Sequence, residues 1–208
     1  WEKLSVDWAE NCPNVRIPRV TALTIDPSDH QNIWAGVEVD GVRRSLDGGD
    51  TWTTVGSGLD DPDIHDMVVS VAEPKTVLTS TSWEIFGSTD TGENWHGLGV
   101  GQHFPMPYCR GIALKEGDPK VLFVGVGDDA VVGTIGNIQR SRDMGLTWEF
   151  LSLPVVPNTP VWGFATNPAD PDLILASSHY GEIFITANGG DSWIKLRREL
   201  TDIRAMTW

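Results

Sequence analysis

A hydroxyl group and a carboxylate lie two residues apart in the segment SLDGGDTW, which runs from Ser45 to Trp52. A serine beside an acid is a candidate nucleophile with its activating group. The same side chains, followed by glycines, are equally typical of turns, because their oxygens accept hydrogen bonds from nearby backbone N–H groups. The sequence can separate the two interpretations, since a catalytic constellation occurs once and a structural unit repeats at a fixed period.

The segment recurs three times along the chain, as STDTGENW, SRDMGLTW and TANGGDSW. The four closing Trp residues are 43, 53 and 45 residues apart. Four copies cannot form one active site, so the pattern indicates a structural turn. The predicted structural residues are Ser45, Asp47, Gly49, Trp52, Ser88, Asp90, Gly92, Trp95, Ser141, Asp143, Gly145, Trp148, Thr186, Asn188, Gly190 and Trp193.

Each copy is preceded by two apolar runs with a polar turn between them, as in ALTIDPSDHQNIWAG. Alternating apolar and polar residues between Gly, Pro, Asp and Asn predict short β-strands. In the first repeat the predicted strands a to d are Val20–Ile25, Asn32–Val39, Gly41–Ser45 and Thr51–Val55. No segment shows a sustained helical period. A four-stranded antiparallel unit repeated every 45 residues or so predicts an all-β chain built from β-propeller blades.

The repeated pattern S/T-x-D-x-G-x-S/T-W resembles the Asp box, or BNR repeat. Sialidases, xyloglucan-cleaving glycoside hydrolases, sortilin-type receptors and photosystem II assembly factors carry this repeat. Asn188 replaces the aspartate of the fourth copy, and Asn94 replaces the hydroxyl residue of the second. The resemblance covers nearly the whole chain and implies a β-propeller. It selects no function, because enzymes and binding proteins share the architecture, and it favours an extracytoplasmic location.

Both ends of the chain resemble parts of further blades. Residues 1–5 match the strand d after the third Asp box, and residues 202–208 match the start of a strand a. The sequence therefore predicts four complete blades plus partial blades at both ends. Either the chain is a fragment of a larger propeller of about seven blades, completed by missing blades or another chain, or residues 1–208 close a ring as a single domain.

The charge balance narrows the choice of partners. The chain has 15 Lys and Arg against 29 Asp and Glu, a net charge of −14. Nucleic acids and anionic membranes need a basic surface, and no apolar run reaches the length of a membrane span. No Cys or His spacing indicates a metal. The sequence predicts no nucleic-acid partner, no membrane insertion, no metal and no cofactor.

The predicted blades place short repeated turns and dissimilar loops on opposite sides. Because neighbouring strands run in opposite directions, the a–b and c–d turns share one side of a blade, and the b–c and d–a loops share the other. The second side, here called the loop face, carries the dissimilar segments 56–66, 97–109, 127–137 and 151–162. Variable loops on a rigid scaffold are typical of binding sites.

Aligning the first residues of each strand a gives a more specific prediction for the loop face. It places Arg19, His65, Arg110, Trp162 and Arg204 in equivalent positions at the mouth of the channel. Three arginines at alternate blades predict a site for a carboxylate, sulfate or phosphate. The alternative is that each arginine pairs with an acid of a neighbouring blade, such as Asp63, Asp66 or Asp202. The candidate ligand-binding residues are Arg19, His65, Arg110, Trp162, Arg204, His103 and Tyr108.

A glycoside hydrolase would need two carboxylates roughly 5 to 10 Å apart across a cleft. The acids of the loop face are Glu38, Asp40, Asp61, Asp63, Asp66, Asp128, Asp129 and Glu182. The catalytic candidates among them are Asp128, Asp129, Asp63 and Asp66. Trp83, Tyr180 and Trp162 are available to stack on a sugar. Acids in β-turns also form turns, and the spacing selects no pair.

Two functions therefore stay open at this point. The first is a non-catalytic propeller that binds a protein segment, or an anionic or carbohydrate ligand, on its loop face. The second is a glycoside hydrolase acting on a polysaccharide or on sialic-acid-like sugars.

Overall fold

The computed structural model describes residues 6–10, 16–129 and 133–207. Its strands form four antiparallel four-stranded sheets, each in chain order from strand a to strand d. The predicted β-propeller of four-stranded blades is confirmed. The chain divides into two compact units, Trp1–Leu98 and Gly99–Trp208, called unit 1 and unit 2 below.

Unit 1 contains the first two blades. Blade 1 consists of β1 (Arg19–Ile25), β2 (Ile33–Glu38), β3 (Gly41–Ser45) and β4 (Thr53–Val55). Blade 2 consists of β5 (Asp66–Ser70), β6 (Thr76–Ser80), β7 (Ile85–Ser88) and β8 (His96–Gly97). The strands of blade 1 begin and end within two residues of their predicted bounds.

Unit 2 contains the other two blades and a short helix before them, α1 (Val100–His103). Blade 3 consists of β9 (Tyr108–Lys115), β10 (Asp118–Gly127), β11 (Gly136–Ser141) and β12 (Glu149–Phe150). Blade 4 consists of β13 (Val161–Thr166), β14 (Ile174–Ser178), β15 (Ile183–Thr186) and β16 (Ile194–Lys195). The helix lies within the predicted loop 97–109.

In both units one blade packs on the next through an aromatic residue of its second strand. The fully buried Trp34 of blade 1 joins Met67, Phe86 and Trp95 of blade 2 in one core. In unit 2, Phe123 lies in the core between blades 3 and 4. We call the side of a blade that carries this aromatic residue its leading face, and the side that accepts it the receiving face.

A buried arginine beside each aromatic residue reaches the Asp box of the following blade. Arg44 donates to the carbonyl of Thr91 at 2.9 Å and pairs with Glu93 at 2.7 Å. Arg140 likewise pairs with Asp191 at 2.8 Å. Charged hydrogen bonds of this kind are stronger than neutral ones, so they help to fix the angle between neighbouring blades within each unit.

The first Asp box forms a closed turn between β3 and β4. The Ser45 hydroxyl donates to Asp47 at 2.7 Å and accepts from the backbone N–H of Gly49 at 2.8 Å. Asp47 also accepts from the backbone N–H of Thr51 at 2.9 Å and from its hydroxyl at 2.6 Å. The Trp52 indole N–H closes the turn on the Gly49 carbonyl at 2.9 Å. These side-chain oxygens are used in the turn and are not available as a nucleophile and its base.

The other three boxes repeat this arrangement. The hydroxyl-to-carboxylate or hydroxyl-to-amide contact measures 2.8 Å in each of them. The residue before the last glycine has positive φ in every box, at Gly48, Thr91, Met144 and Gly189. In the third box the indole nitrogen of Trp148 is buried without a hydrogen-bond partner among the described residues. The second and fourth boxes keep the same hydrogen bonds and positive φ, so the turn accommodates Asn94 and Asn188.

The box hydrogen bonds predict an acid-dependent stability. Those from the side chain and backbone of Thr51, and then from Ser45, lower the pKa of Asp47 to about 2. Because the folded pKa lies below the unfolded value, the box contributes stability that is complete above about pH 4 and lost as the pH falls through about 2. We expect the difference in urea midpoint between the wild type and Asp47→Asn to shrink between about pH 5 and pH 2. A constant difference over that range would contradict the assignment.

The predicted partial blades lie at the two ends of the chain. Residues 1–5, predicted as a strand d, lie outside the described residues. Residues 202–207 form no strand. The backbone N–H groups of Leu200 and Ile203 bond instead to the carbonyls of Gly181 and His179, at 3.0 and 3.1 Å. The C-terminal segment therefore lies along the b–c turn of blade 4.

No helix among the described residues is both long and apolar enough to cross a membrane. The same residues contain no cluster of three or more His, Cys, Asp or Glu side chains that could hold a metal ion.

Candidate functional site

The strand register changes the alignment that placed Arg19 with Arg110 and Trp162. Trp162 is the extra residue of a β-bulge in β13, and Arg110 lies in a bulge of β9. In β1 the extra residue is Thr21. Arg19 lies two residues earlier, opposite Glu38. Thr21 therefore occupies the position that the sequence alignment gave to Arg19.

The a–b turns carry the signal that would have given the correct register. Asp26 accepts a hydrogen bond from the backbone N–H of Ser28, and Asn167 accepts one from that of Ala169, at 2.8 and 3.0 Å. When these two Asx turns are aligned, rather than the alanines of the strands, blade 1 shifts by two residues relative to blade 4. Thr21 of blade 1 then aligns with Trp162 of blade 4.

In unit 1, the two candidate ligand-binding residues both lie beside acids. Arg19 is exposed and pairs with Glu38 at 2.5 Å. His65 is buried, with its Nε2 atom 3.5 Å from Asp63. Glu38 belongs to the same blade as Arg19, so this ion pair differs from the predicted pairing with an acid of a neighbouring blade.

In unit 2, the loop face brings four side chains into one stack. The guanidinium carbon of Arg110 lies 4.3 Å from the ring centroid of Trp162. The Trp162 ring lies 3.8 Å from that of His179, which is 5.2 Å from that of Tyr180. We call these four residues the aromatic stack. The bulges of β9 and β13 supply two of its members, and the b–c turn of blade 4 supplies the other two.

Close approach of two strands makes the stack possible. A Cβ atom at Gly111 would lie 2.7 Å from the backbone oxygen of Trp162. Only glycine therefore lets β9 and β13 approach at this height, and the bulges redirect the adjoining side chains. Tyr108 is buried beneath, and its hydroxyl accepts from Arg110 at 3.4 Å. Tyr108 thus supports Arg110 and offers little of its own surface to a ligand.

The charges around His179 make the stack electropositive. Burial lowers the pKa of His179, the positive charges of Arg204 and Arg110 lower it further, and Asp202 opposes them. The imidazole is therefore neutral at pH 7. Its Nδ1 atom is buried and has no hydrogen-bond partner among the described residues. Arg204 is exposed and pairs with Asp202 at 3.4 Å.

Sequence reasoning found Arg110, Trp162 and Arg204 but did not assign His179 to the site. The run SHYGE places two aromatic side chains in a b–c turn, which was the available signal. His103 is exposed at the end of α1. It makes no contact with the aromatic stack in the described contacts.

Among the acids proposed for catalysis, Asp128 is held by hydrogen bonds within its own loop. Asp128 accepts from the backbone N–H groups of Thr134 and Ile135, at 2.9 and 3.2 Å. Burial raises the pKa of Asp128, but these hydrogen bonds outweigh it, and the pKa is lowered overall. A general acid needs the opposite shift. Asp66 accepts from the backbone N–H of Met67 at 2.8 Å, and Asp129 is exposed in the same loop as Asp128.

The remaining acids of the loop face also have partners. Asp63 accepts from the Ser82 hydroxyl at 2.9 Å. The buried Glu182 accepts from the backbone N–H of Asn158 at 2.7 Å. Asp40 pairs with Arg43 at 2.7 Å.

In one groove of unit 1, acids and aromatic residues line the same surface. It has a volume of about 770 Å³, and Asp61, Trp83, Glu84 and His96 contribute to its lining. Trp83 is exposed. One carboxylate oxygen of Asp61 accepts from the backbone N–H of Asp63 at 3.1 Å, and the other is buried without a hydrogen-bond partner among the described residues.

Comparison with solved structures places the chain among the β-propellers. It is similar to an ancestral GH74 enzyme with a TM-score of 0.71 and 17% identity, over 84% of this chain and 23% of that one. It is similar to an auxiliary nutrient binding protein from Bacteroides thetaiotaomicron with a TM-score of 0.61 and 12% identity, over 80% of this chain and 37% of that one. It is also similar to YCF48 from Cyanidioschyzon merolae with a TM-score of 0.60 and 16% identity, over 88% of this chain and 57% of that one.

The chain thus spans less than two thirds of the length of each of these three proteins. No family profile and no curated protein matches the chain. The likeness establishes the fold and agrees with the Asp-box resemblance. Enzymes and binding proteins both occur among the neighbours, so the fold is compatible with either class.

Proposed function

We propose that this chain is a non-catalytic ligand-binding propeller whose site is the aromatic stack on the loop face of unit 2. The observation that carries the proposal is the Arg110 guanidinium held 4.3 Å above the Trp162 ring, itself stacked on a neutral His179. Arginine offers paired donors to a carboxylate, and the rings offer a flat apolar surface beside it. The ligand is an anion with a flat or ring-shaped body, such as an acidic sugar.

The chemistry of the surrounding groups favours binding over catalysis. The stack contains a guanidinium, three aromatic rings and no carboxylate. Asp202 pairs with Arg204 and is exposed, so it is not poised as a general acid.

The proposal predicts that removal of the Arg110 side chain weakens anion binding selectively. We expect Arg110→Ala to lower the affinity for D-glucuronate about tenfold, because a charged hydrogen bond contributes about 1.5 kcal/mol. D-glucose, which lacks the carboxylate, should bind more weakly than D-glucuronate to the wild type. Isothermal titration calorimetry measures both affinities.

Arg19→Ala is the matched control, because Arg19 is an exposed arginine paired with Glu38 in the other unit. It should leave D-glucuronate binding unchanged. Equal affinities of Arg110→Ala and the wild type would reject the site. Equal affinities for the two sugars would reject an anionic ligand.

A second candidate function rests on the groove of unit 1. There an exposed Trp83 adjoins two acids, Asp61 and Glu84, and one oxygen of Asp61 has no hydrogen bond among the described residues. A glycoside hydrolase needs two acids across a cleft, and an exposed aromatic ring beside them can stack on a sugar. The candidate reaction is hydrolysis of a polysaccharide, for which xyloglucan is the first substrate to assay. Reducing ends released by the wild type and lost in Asp61→Asn would support it, and no release by the wild type would reject it.

A further inference from the structure

The receiving face of blade 1 is only partly covered, although the equivalent face of blade 2 is buried. Residues 6–10 cover Arg43 of this face, which donates to the Asp7 carbonyl at 3.1 Å and lies 5.6 Å from the centroid of the Trp8 ring. Leu23 and Ile25 are 66% and 49% exposed. Their equivalents by strand register, Met67 and Val69, are 4% and 6% exposed beneath the leading face of blade 1. Blade 1 therefore has an apolar sheet surface of the kind that blade 2 uses to bind a neighbouring blade.

A groove lies between this surface and residues 6–10, on the side of the blade where blades 2 and 4 hold an aromatic side chain. It measures about 420 Å³ and is lined by Trp8, Val20, Leu23 and Trp52, among others. In the described contacts, nothing from another blade approaches Gly49 of the adjoining Asp box, since a Cβ there would meet only side chains of blade 1.

The two covered Asp boxes show what normally occupies that position. A Cβ at Gly92 would lie 3.2 Å from the Trp34 indole nitrogen, and one at Gly190 would lie 2.6 Å from the Phe123 ring. In both units, an aromatic side chain of the preceding blade lies directly on the glycine of the box. The open groove at Gly49 has the same place in blade 1.

The charges of the boxes add a second, independent feature. Glu93 and Asp191 directly follow the glycine of their boxes. They form ion pairs with Arg44 and Arg140 of the preceding blade, at 2.7 and 2.8 Å. Asp50 occupies this position in the first box and is exposed. Among the described residues no cation pairs with it.

The sequence shows that acid and arginine occur together. The third box has Leu146 in place of the acid, and blade 2 has Gly87 in place of the arginine. Where the box carries an acid, in blades 2 and 4, the blade before it carries the arginine. Asp50 therefore indicates that the natural occupant of the blade 1 surface carries an arginine.

We infer that the receiving face of blade 1 binds a further Asp-box blade that is none of the four in this chain. That blade presents an aromatic residue on its second strand, which fills the groove at Gly49. It also presents an arginine on its third strand, which pairs with Asp50. Apolar surface supplies most of the affinity, and the charge pair selects the partner.

A second copy of this chain does not meet these requirements. The leading face of blade 4 has Leu175 and Ile185, both partly exposed, where blades 1 and 3 have the aromatic residue and the arginine. This difference gives the test, because the missing chemistry can be introduced into blade 4.

The experiment compares self-association of two double variants by sedimentation equilibrium. L175F/I185R gives blade 4 the features of blade 3, and L175F/I185E is the matched control with the opposite charge. We expect the arginine variant to associate about five- to tenfold more tightly than the glutamate variant. Asp50→Asn in the same chain should reduce that ratio to less than about twofold.

Each outcome decides the inference. Equal association of the two variants, a ratio that Asp50→Asn leaves unchanged, or no association of either would overturn it. Association of the unmodified chain as tight as that of L175F/I185R would identify a second copy as the occupant and overturn the requirement for arginine. Circular dichroism spectra that match the wild type show that the variants are folded.

Discussion

Trp34→Ala should lower the free energy of unfolding by about 3 to 5 kcal/mol. The side chain is fully buried between blades 1 and 2, and its indole nitrogen lies 3.4 Å from the Thr91 carbonyl. The substitution removes a large apolar surface and leaves a cavity that a flat sheet cannot close. Urea unfolding followed by far-ultraviolet circular dichroism measures the change.

Trp83→Ala is the control for this measurement, because Trp83 is an exposed tryptophan of the same unit. It should change the free energy of unfolding by less than about 0.5 kcal/mol. Similar losses for the two variants would show that the contact between blades 1 and 2 is not the main source of stability in unit 1.

Arg140→Met should lower the free energy of unfolding by about 2 to 3 kcal/mol. The guanidinium is 5% exposed and pairs with Glu149 and Asp191 at 2.9 and 2.8 Å. Both acids are about half exposed and regain water when the arginine is removed, so we expect less than the loss of a fully buried pair. Methionine retains most of the apolar packing, so the measured loss reports mainly on the charge.

Arg142→Met is the matched control, since Arg142 contacts the same two acids from an exposed position. Exposed ion pairs contribute little, and we expect a change below about 1 kcal/mol. A loss for Arg142→Met as large as that for Arg140→Met would contradict the special role of the buried arginine in joining blades 3 and 4.

The Asp boxes could be predicted from sequence because their interactions are local. A hydroxyl, a carboxylate and a glycine within five residues determine one turn, as Ser45, Asp47 and Gly49 show. Repetition of that turn at a fixed period then predicts the blades. The strand bounds follow from the same local alternation of apolar and polar residues.

The candidate site was only partly predictable, because it depends on register and on contacts between blades. A single bulge moves the residue at the site from Arg19 to Thr21 in blade 1. His179 enters the stack through a b–c turn more than a dozen residues away from Trp162. The inter-blade role of Arg44 and Arg140 depends on the acid in the next box, which no local pattern shows.

The most direct test of the proposed binding site is the pKa of His179, measured by NMR titration with and without D-glucuronate. Burial and the two arginines hold this pKa below its ordinary value in the free protein. An anion bound against Arg110 would offset its positive charge and stabilise the imidazolium, so we predict that the ligand raises the pKa of His179. A pKa that stays the same at saturating D-glucuronate would contradict binding at the aromatic stack.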